Sequence, residues 1–319
     1  MGDLFGGASA GGWLGLPEMA TDQLADIDIA VMGIGAATPY ELGAYCMDAP
    51  DAIRGARSWP GILYHHDFDL HGTTPSAGVL PAGVRAADLG NLAVVNSADA
   101  ADTAANRKLI HEHISAVLTQ DAVPFIFGGD DSIPIPVLQA YDQVQDITIL
   151  QLDAHIDWRD DIAGERLGLS SNMRRASEMK HIGKIVQLGA RGIGSARGSD
   201  VQDAIDYGVS FHTMQMLNEA GGIDRAIADL PAGKPIYIAL DIDCLDPAIM
   251  PAVIGKAKGG MSYEQLLAIM IAAAKRGPII GFNLVEFMPE EDINNLGAQM
   301  ASRVALSMLG VIAQQRGGA

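Results

Sequence analysis

The stretch Ile147-Thr-Ile-Leu-Gln-Leu-Asp-Ala-His-Ile-Asp157 constrains this chain more than any other. Its first part is an apolar run that reads as a buried strand. Its second part sets Asp153, His155 and Asp157 at alternate positions. Alternate residues of an extended chain point to one side, so two carboxylates and an imidazole converge where the strand leaves its sheet. Charged side chains are almost never fully buried unless they are paired or bound to metal. A polar strand end solvated in a loop is the alternative.

Two further strand ends repeat the device. Pro235-Ile-Tyr-Ile-Ala-Leu240 is an apolar run that ends in Asp241-Ile-Asp243, followed by Cys244-Leu-Asp-Pro247. Together the two endings bring four carboxylates and one imidazole to a common edge. That donor set suits two hard or borderline divalent ions, such as manganese, nickel or cobalt, whereas a lone structural zinc usually takes more sulfur or nitrogen. Val123-Pro-Phe-Ile-Phe-Gly128 is a third apolar strand, followed by Gly129-Asp-Asp-Ser132. Glycine permits the sharp turn, and an Asp or Ser there also serves as an ordinary helix cap.

Charge and cysteine usage narrow the partners. A net charge of -18 and a pI near 4.6 argue against nucleic acid or an anionic membrane. Cys46 and Cys244 are the two cysteines, too few for a disulfide framework or a zinc ribbon. Cys244 reads as a small buried hydrophobe. The N-terminus lacks the basic and apolar regions of a signal peptide, and no apolar run approaches the ~20 residues of a membrane span. A soluble, cytoplasmic protein is expected.

Residues 1–26, rich in Gly and Ala, read as an N-terminal arm, and residues 27–319 as a single α/β domain. Strands are expected near 27–35, 92–96, 123–128, 147–153, 185–189, 209–213, 235–241 and 279–286. Helices are expected near 49–57, 106–118, 133–143, 172–180, 200–207, 222–229, 262–275 and 295–313. Such alternation implies a mainly parallel sheet covered on both faces, with ligands beyond the carboxyl ends of the strands. His65, His66, Asp67, Asp69 and His71 have a metal-like composition but no regular spacing, and read as a solvated loop.

Gly128-Gly-Asp-Asp-Ser132, Asp153-Ala-His-Ile-Asp157 and Asp241-Ile-Asp-Cys-Leu-Asp-Pro247 resemble, in order and spacing, the three signatures of the ureohydrolases. These are the arginases, agmatinases and guanidinobutyrases. Ala49-Pro-Asp-Ala-Ile-Arg54 and Leu284-Val-Glu-Phe-Met-Pro289 resemble an early and a late segment of the same family. The resemblance implies a three-layer α/β/α sandwich, two divalent metal ions per chain (Mn2+ or Ni2+), and trimers or hexamers. It implies hydrolysis of a linear amidine, a small cationic guanidino compound, at a C–N bond. Asp153 and Asp241 would bridge the ions. Asp157 would complete one shell, and His155 and Asp243 the other. Glu286 matches the acid that receives the guanidinium. Two ions acidify a shared water, and Asp157 can pass its proton to the departing nitrogen.

The chain departs from the family pattern in two places. Asp131 stands where the first signature usually has a metal-ligating His, so a carboxylate would ligate and the cluster gains a negative charge. Leu169-Ser-Ser-Asn-Met-Arg-Arg175 aligns with a His-Gly-Thr segment, which puts Leu169, unable to carry a proton, at the shuttle position. Ser170 and Ser171 can position substrate or water there. Pro251-Ala-Val-Ile-Gly255 replaces a common Pro-Gly-Thr-Gly. These changes resemble a divergent branch acting on guanidine, N-alkylguanidines or biguanides such as metformin, some of whose members form heteromeric pairs. Tyr40, Glu41 and Tyr45 are the expected contacts to the substrate tail. Agmatinase or guanidinobutyrase activity, a non-catalytic subunit supporting a related chain, and a single-zinc deacetylase of the same fold are the competing readings.

Overall fold

The computed structural model describes residues 12–38, 40, 44–56, 79–97, 99–193 and 196–318. His65, His66, Asp67, Asp69, His71 and Glu41 lie outside them. Eight strands are described: β1 Ile29–Ile34, β2 Ala86–Asn91, β3 Val123–Gly128, β4 Ile147–Leu152, β5 Ile182–Leu188, β6 Ser210–His212, β7 Ile236–Asp241 and β8 Ile279–Val285. They form one sheet in the order β2-β1-β3-β8-β7-β4-β5-β6, and every pairing is parallel. All strand ends of one kind therefore share one edge. The two last strands, β8 and β7, insert between β3 and β4. That insertion sets the carboxyl ends of β3, β8, β7 and β4 side by side, although their sequences are far apart.

The described helices are α1 Ala49–Gly55, α2 Ala100–Thr119, α3 Pro134–Gln139, α4 Asn172–Ser177, α5 Gly198–Tyr207, α6 Met214–Asn218, α7 Gly222–Ala228, α8 Tyr263–Arg276 and α9 Leu296–Gly317. Both faces of the sheet are covered, because these strands are apolar on both sides and must be buried twice. Leu150 and Leu152 of β4 join Ile53, Leu266 and Val304 in one core. Ile147 and Ile149 join Ile114, Val137, Met173 and Ala204 in the other. Helices α1, α6, α7, α8 and α9 thus lie on one face and α2 to α5 on the opposite one, giving three layers. Within the first core Trp13, Phe125, Phe127 and Phe282 pack ring against ring, mostly edge-to-face or tilted, at centroid distances of 4.7–6.0 Å. Trp13, Leu14 and Leu16, within the stretch read as an arm, are buried there. The 22-residue α9 is long and apolar enough to cross a bilayer, but 72% of its apolar window is buried inside the protein, as in a core helix.

Two expectations are corrected. The second strand is Ala86–Asn91 and not 92–96: Ala, Asp and Gly are weak strand formers, and only the pairing to β1 makes this segment extended. The five-residue α6, capped by the Thr213 side chain, was not foreseen, being too short to show a period. Elsewhere the elements differ from expectation mainly at their ends.

Candidate metal centre

Asp153, one residue beyond β4, is the centre of the site. Ligand atoms of Asp153, His155, Asp241 and Asp243 lie within 4.8 Å of one another, and so do those of Asp131, Asp153 and Asp157. Asp153 belongs to both groups. His155 and Asp243 fall on one side of it, Asp131 and Asp157 on the other, and Asp241 joins the first. His155 Nδ1 is 3.0 Å from Asp243 Oδ2 and 3.4 Å from Asp153 Oδ1. Backbone amides hold the turns in shape. His155 N donates to Asp153 Oδ1 at 2.5 Å, Ala154 N to Asp243 Oδ1 at 3.0 Å, and Asp243 N to Asp241 Oδ1 at 2.8 Å.

The electrostatics of this packing are severe. Burial raises the carboxyl pKa values of Asp131, Asp157, Asp241 and Asp243, and the neighbouring acids raise them further. Burial raises Asp153 too, but hydrogen bonding and charge from His155 outweigh it and its pKa is lowered. Burial lowers the pKa of His155, yet Asp153 and Asp243 overcome that and push it up to about 12. Without cations the cluster stays together only by holding protons. Divalent ions would balance the same charge, and the donors, carboxylate oxygens with one imidazole, fit a hard or borderline ion. Gly255 fits the same role: a Cβ on it would lie 2.3 Å from His155 Cε1 and 2.6 Å from Asp243 Oδ2.

Glu286, just beyond β8, completes the centre. Its φ of +66° is unusual for a residue with a side chain. Oε1 accepts from Asp131 N at 2.8 Å and from Tyr45 Oη at 3.2 Å. Oε2 is buried without a partner among the described residues. Burial and nearby Asp130 raise its carboxyl pKa well above the usual range. Glu286, Asp131, Asp157, Asp241 and Asp243 line one cavity of about 710 Å³. Ile162, Leu169 and Ile254 give it apolar wall, while Arg159, Lys256 and Lys258 add positive charge.

The other expected residues divide. Leu169 and Ser170 line the cavity, whereas Ser171 is fully buried and its Oγ has no partner. Tyr40 packs its hydroxyl against Gly168, where a Cβ would approach to 2.0 Å, and is not among the cavity-lining residues. Tyr45 bonds Glu286 instead of reaching toward a substrate tail. Asp130 turns away from the cluster and holds the Thr38 amide and Ser132. Residues not anticipated also enter. Asn172 Nδ2 donates to the carboxylate and carbonyl of Asp131, and Gln151 bonds both Asp153 and Asp157. Arg191 donates to the carbonyls of Gly189, Asp243, Cys244, Leu245 and Ala257, tying the β7 loop to the cavity wall. A glutamine inside an otherwise apolar strand was the one signal of this kind visible in sequence.

Fold and site define a class: α/β proteins that gather carboxylates and an imidazole, a set able to hold divalent cations, at the carboxyl edge of a parallel sheet. Within that class the chain belongs to the arginase family, whose model matches residues 27–310. It is 30% identical over 265 residues to the guanidino acid hydrolase of Homo sapiens, covering 80% of this chain and 72% of that protein. It is 33% identical over 192 residues to a mitochondrial arginase of Medicago truncatula, covering 58% of this chain and about half (54%) of that protein. The proclavaminate amidino hydrolase of Streptomyces clavuligerus shares the fold, with a TM-score of 0.80 at 23% identity over 97% of this chain and 98% of that one.

Proposed function

We propose that this chain is a metal-dependent hydrolase that cleaves a C–N bond of a guanidino compound and releases urea or a urea derivative with an amine. The observation that carries this reading is Asp153, shared by two ligand groups, beside a cavity in which Glu286 keeps one oxygen unpartnered. Asp131, Asp153 and Asp157 would hold one ion, and Asp153, His155, Asp241 and Asp243 the other. Bound there, a pair of divalent ions supplies an acidified water and positive charge against the developing negative charge.

The chain's own groups do the rest. Glu286 Oε1 is fixed by Asp131 N–H and Tyr45 Oη–H, which leaves Oε2 to accept from the guanidinium. A charge-assisted bond of that kind orients the planar carbon toward the ligand cluster. Asp157, at the cavity wall, takes the proton of the attacking water and returns it to the departing nitrogen. Leu169 carries no proton and makes the wall apolar, with Ser170 next to it as a polar contact. These features support a small neutral-tailed substrate: guanidine, an N-alkylguanidine, or a biguanide such as metformin. Arg159 and Lys258 in the walls, beside Lys256 that pairs with Glu291 at 3.0 Å, disfavour a second positive charge, as in agmatine, and give a carboxylate-tailed guanidino acid as the second reading.

Full-length protein loaded in turn with Mn2+, Ni2+ and Co2+ tests this. Agmatine, guanidinobutyrate, guanidine, dimethylguanidine and metformin are the substrates, with urea or guanylurea as the readout. Turnover of a neutral-tailed member above agmatine is expected. Two bound ions with no product from the whole panel would instead support a non-catalytic subunit, for which copurification with a related chain is the decisive assay.

A further inference from the structure

Beside the cluster runs a buried polar ladder that the mechanism leaves unused. Gln151 of β4 and Gln187 of β5 are register partners, each 1% exposed. Gln151 Nε2 donates to Asp153 Oδ2 at 2.7 Å and to Asp157 Oδ2 at 2.9 Å. Its Oε1 accepts from Gln187 Nε2, which also donates to the Ile156 carbonyl at 2.8 Å. Gln187 Oε1 in turn accepts from Trp158 Nε1 at 2.9 Å.

The two ends fix the direction of every bond between them. The Ile156 carbonyl only accepts and the Trp158 indole N–H only donates, which orients Gln187 and through it Gln151. Turning either amide round would set its oxygen against the acids or its NH2 against the indole. Each amide therefore has one orientation, and each bond polarises the next. Buried amides are costly unless satisfied, so the ladder is stable only while Asp153 and Asp157 keep their places.

The ladder also closes on itself. Asp157 has φ +51°, a left-handed conformation that Asp adopts more readily than most residues with side chains. Gln151 takes its carboxylate, while Gln187 takes the Ile156 carbonyl before it and the Trp158 indole after it. Among the other residues of β4, Ile147, Ile149, Leu150 and Leu152 are buried and apolar and Thr148 is buried and polar, so a long amide is the exception in this strand.

We propose that Gln151 and Gln187 are positioning residues that hold the Asp153 and Asp157 carboxylates in ligand geometry before a cation arrives. The inference rests on reading the site as a divalent-cation centre, but it concerns ion binding and not the bond that is cleaved. Gln151→Leu keeps the volume and removes both donors. Gln187→Leu and Trp158→Phe loosen the ladder from further away.

Titration of the full chain with Mn2+ by calorimetry, alongside circular dichroism and melting curves, tests the inference. Gln151→Leu should bind the ion on the Asp131–Asp157 side about 10- to 100-fold more weakly, the usual loss when a ligand's supporting partner is removed. Gln187→Leu should give a smaller loss and Trp158→Phe the smallest. These two variants still report if Gln151→Leu does not fold. Lower melting temperatures with wild-type affinity for both ions would make the ladder merely structural and overturn the proposal. A wild type that binds no ions would remove the hydrolase reading and this inference together, whereas two ions in the wild type and unchanged affinity in all three variants would remove this inference alone.

Discussion

Replacing Gly255 by alanine adds one methyl group at the place where the ligand cluster has least room. The new Cβ would lie 2.3 Å from His155 Cε1 and 2.6 Å from Asp243 Oδ2. Ordinary contact begins near 3.4 Å, so the imidazole must retreat by about 1 Å or the 251–257 loop must lift by as much. Metal–ligand distances tolerate only about 0.2 Å of error, several times less than that displacement. The backbone of Gly255 is not in the left-handed region, so alanine brings no conformational strain and the effect is steric. Overpacking of this kind costs about 1–3 kcal/mol, which corresponds to roughly 5- to 150-fold in affinity for the ion that His155 and Asp243 would hold. Calorimetric titration of Gly255→Ala with Mn2+ measures this directly. Gly198→Ala is the control, because a Cβ there meets nothing within 4 Å among the described residues. Two ions bound to Gly255→Ala with wild-type affinity would refute the assignment of His155 and Asp243 to one ion.

Four other outcomes follow from the same structure. Glu286→Gln keeps an oxygen for Asp131 N–H and Tyr45 but turns an NH2 toward the guanidinium, so kcat/KM should fall by about 1.5–3 kcal/mol, the worth of a charged hydrogen bond; steady-state kinetics decides it. Chelation should lower the melting temperature, since ions at 100 times their Kd stabilise by about 2.7 kcal/mol, and EDTA-treated protein that melts with the Mn2+-loaded form would contradict this. Lys258→Glu should lower the guanidinobutyrate-to-agmatine ratio of kcat/KM a few-fold at low salt and leave it nearly unchanged at high salt, where exposed charges are screened. Asp88→Asn should cost roughly 3–5 kcal/mol by urea unfolding, because Arg54, bonded to Asp88 at 2.8 and 3.0 Å, would be left without its counter-charge. Burial raises the Asp88 pKa, but Arg54 and the amides of Trp13 and Gly90 outweigh it and the net pKa is lowered. The native state thus binds that proton less readily than the unfolded chain. Its stabilising contribution is complete above the unfolded value near 4, is lost as pH falls through the lowered native value, and should be missing from the acid titration of Asp88→Asn.

The ligand set was legible in the primary structure because its acids and imidazole stand directly after apolar runs. The apolar runs before Asp153, His155 and Asp157, and before Asp241 and Asp243, fix where each strand ends, but extended alternation does not place these side chains: Asp153 lies just past β4, Asp157 is left-handed at φ +51°, and Ile242–Cys244 is a 3-10 turn. Burial on both faces made the parallel α/β architecture legible for the same kind of reason. Strand order was not legible: only pairing places β8 and β7 between β3 and β4, and so brings Glu286 and Asp131 beside the acids of β4 and β7. The roles of Tyr45, Asn172, Arg191 and Gly255 were hidden as well, since each depends on a contact across tens to hundreds of residues that no local pattern encodes. Sequence by itself determined which side chains carry charge to the sheet edge, because they directly follow the apolar runs that become β4 and β7. Tertiary structure decided which of them share an ion's space and which amides hold them there, because those distances are set by how separate strands align.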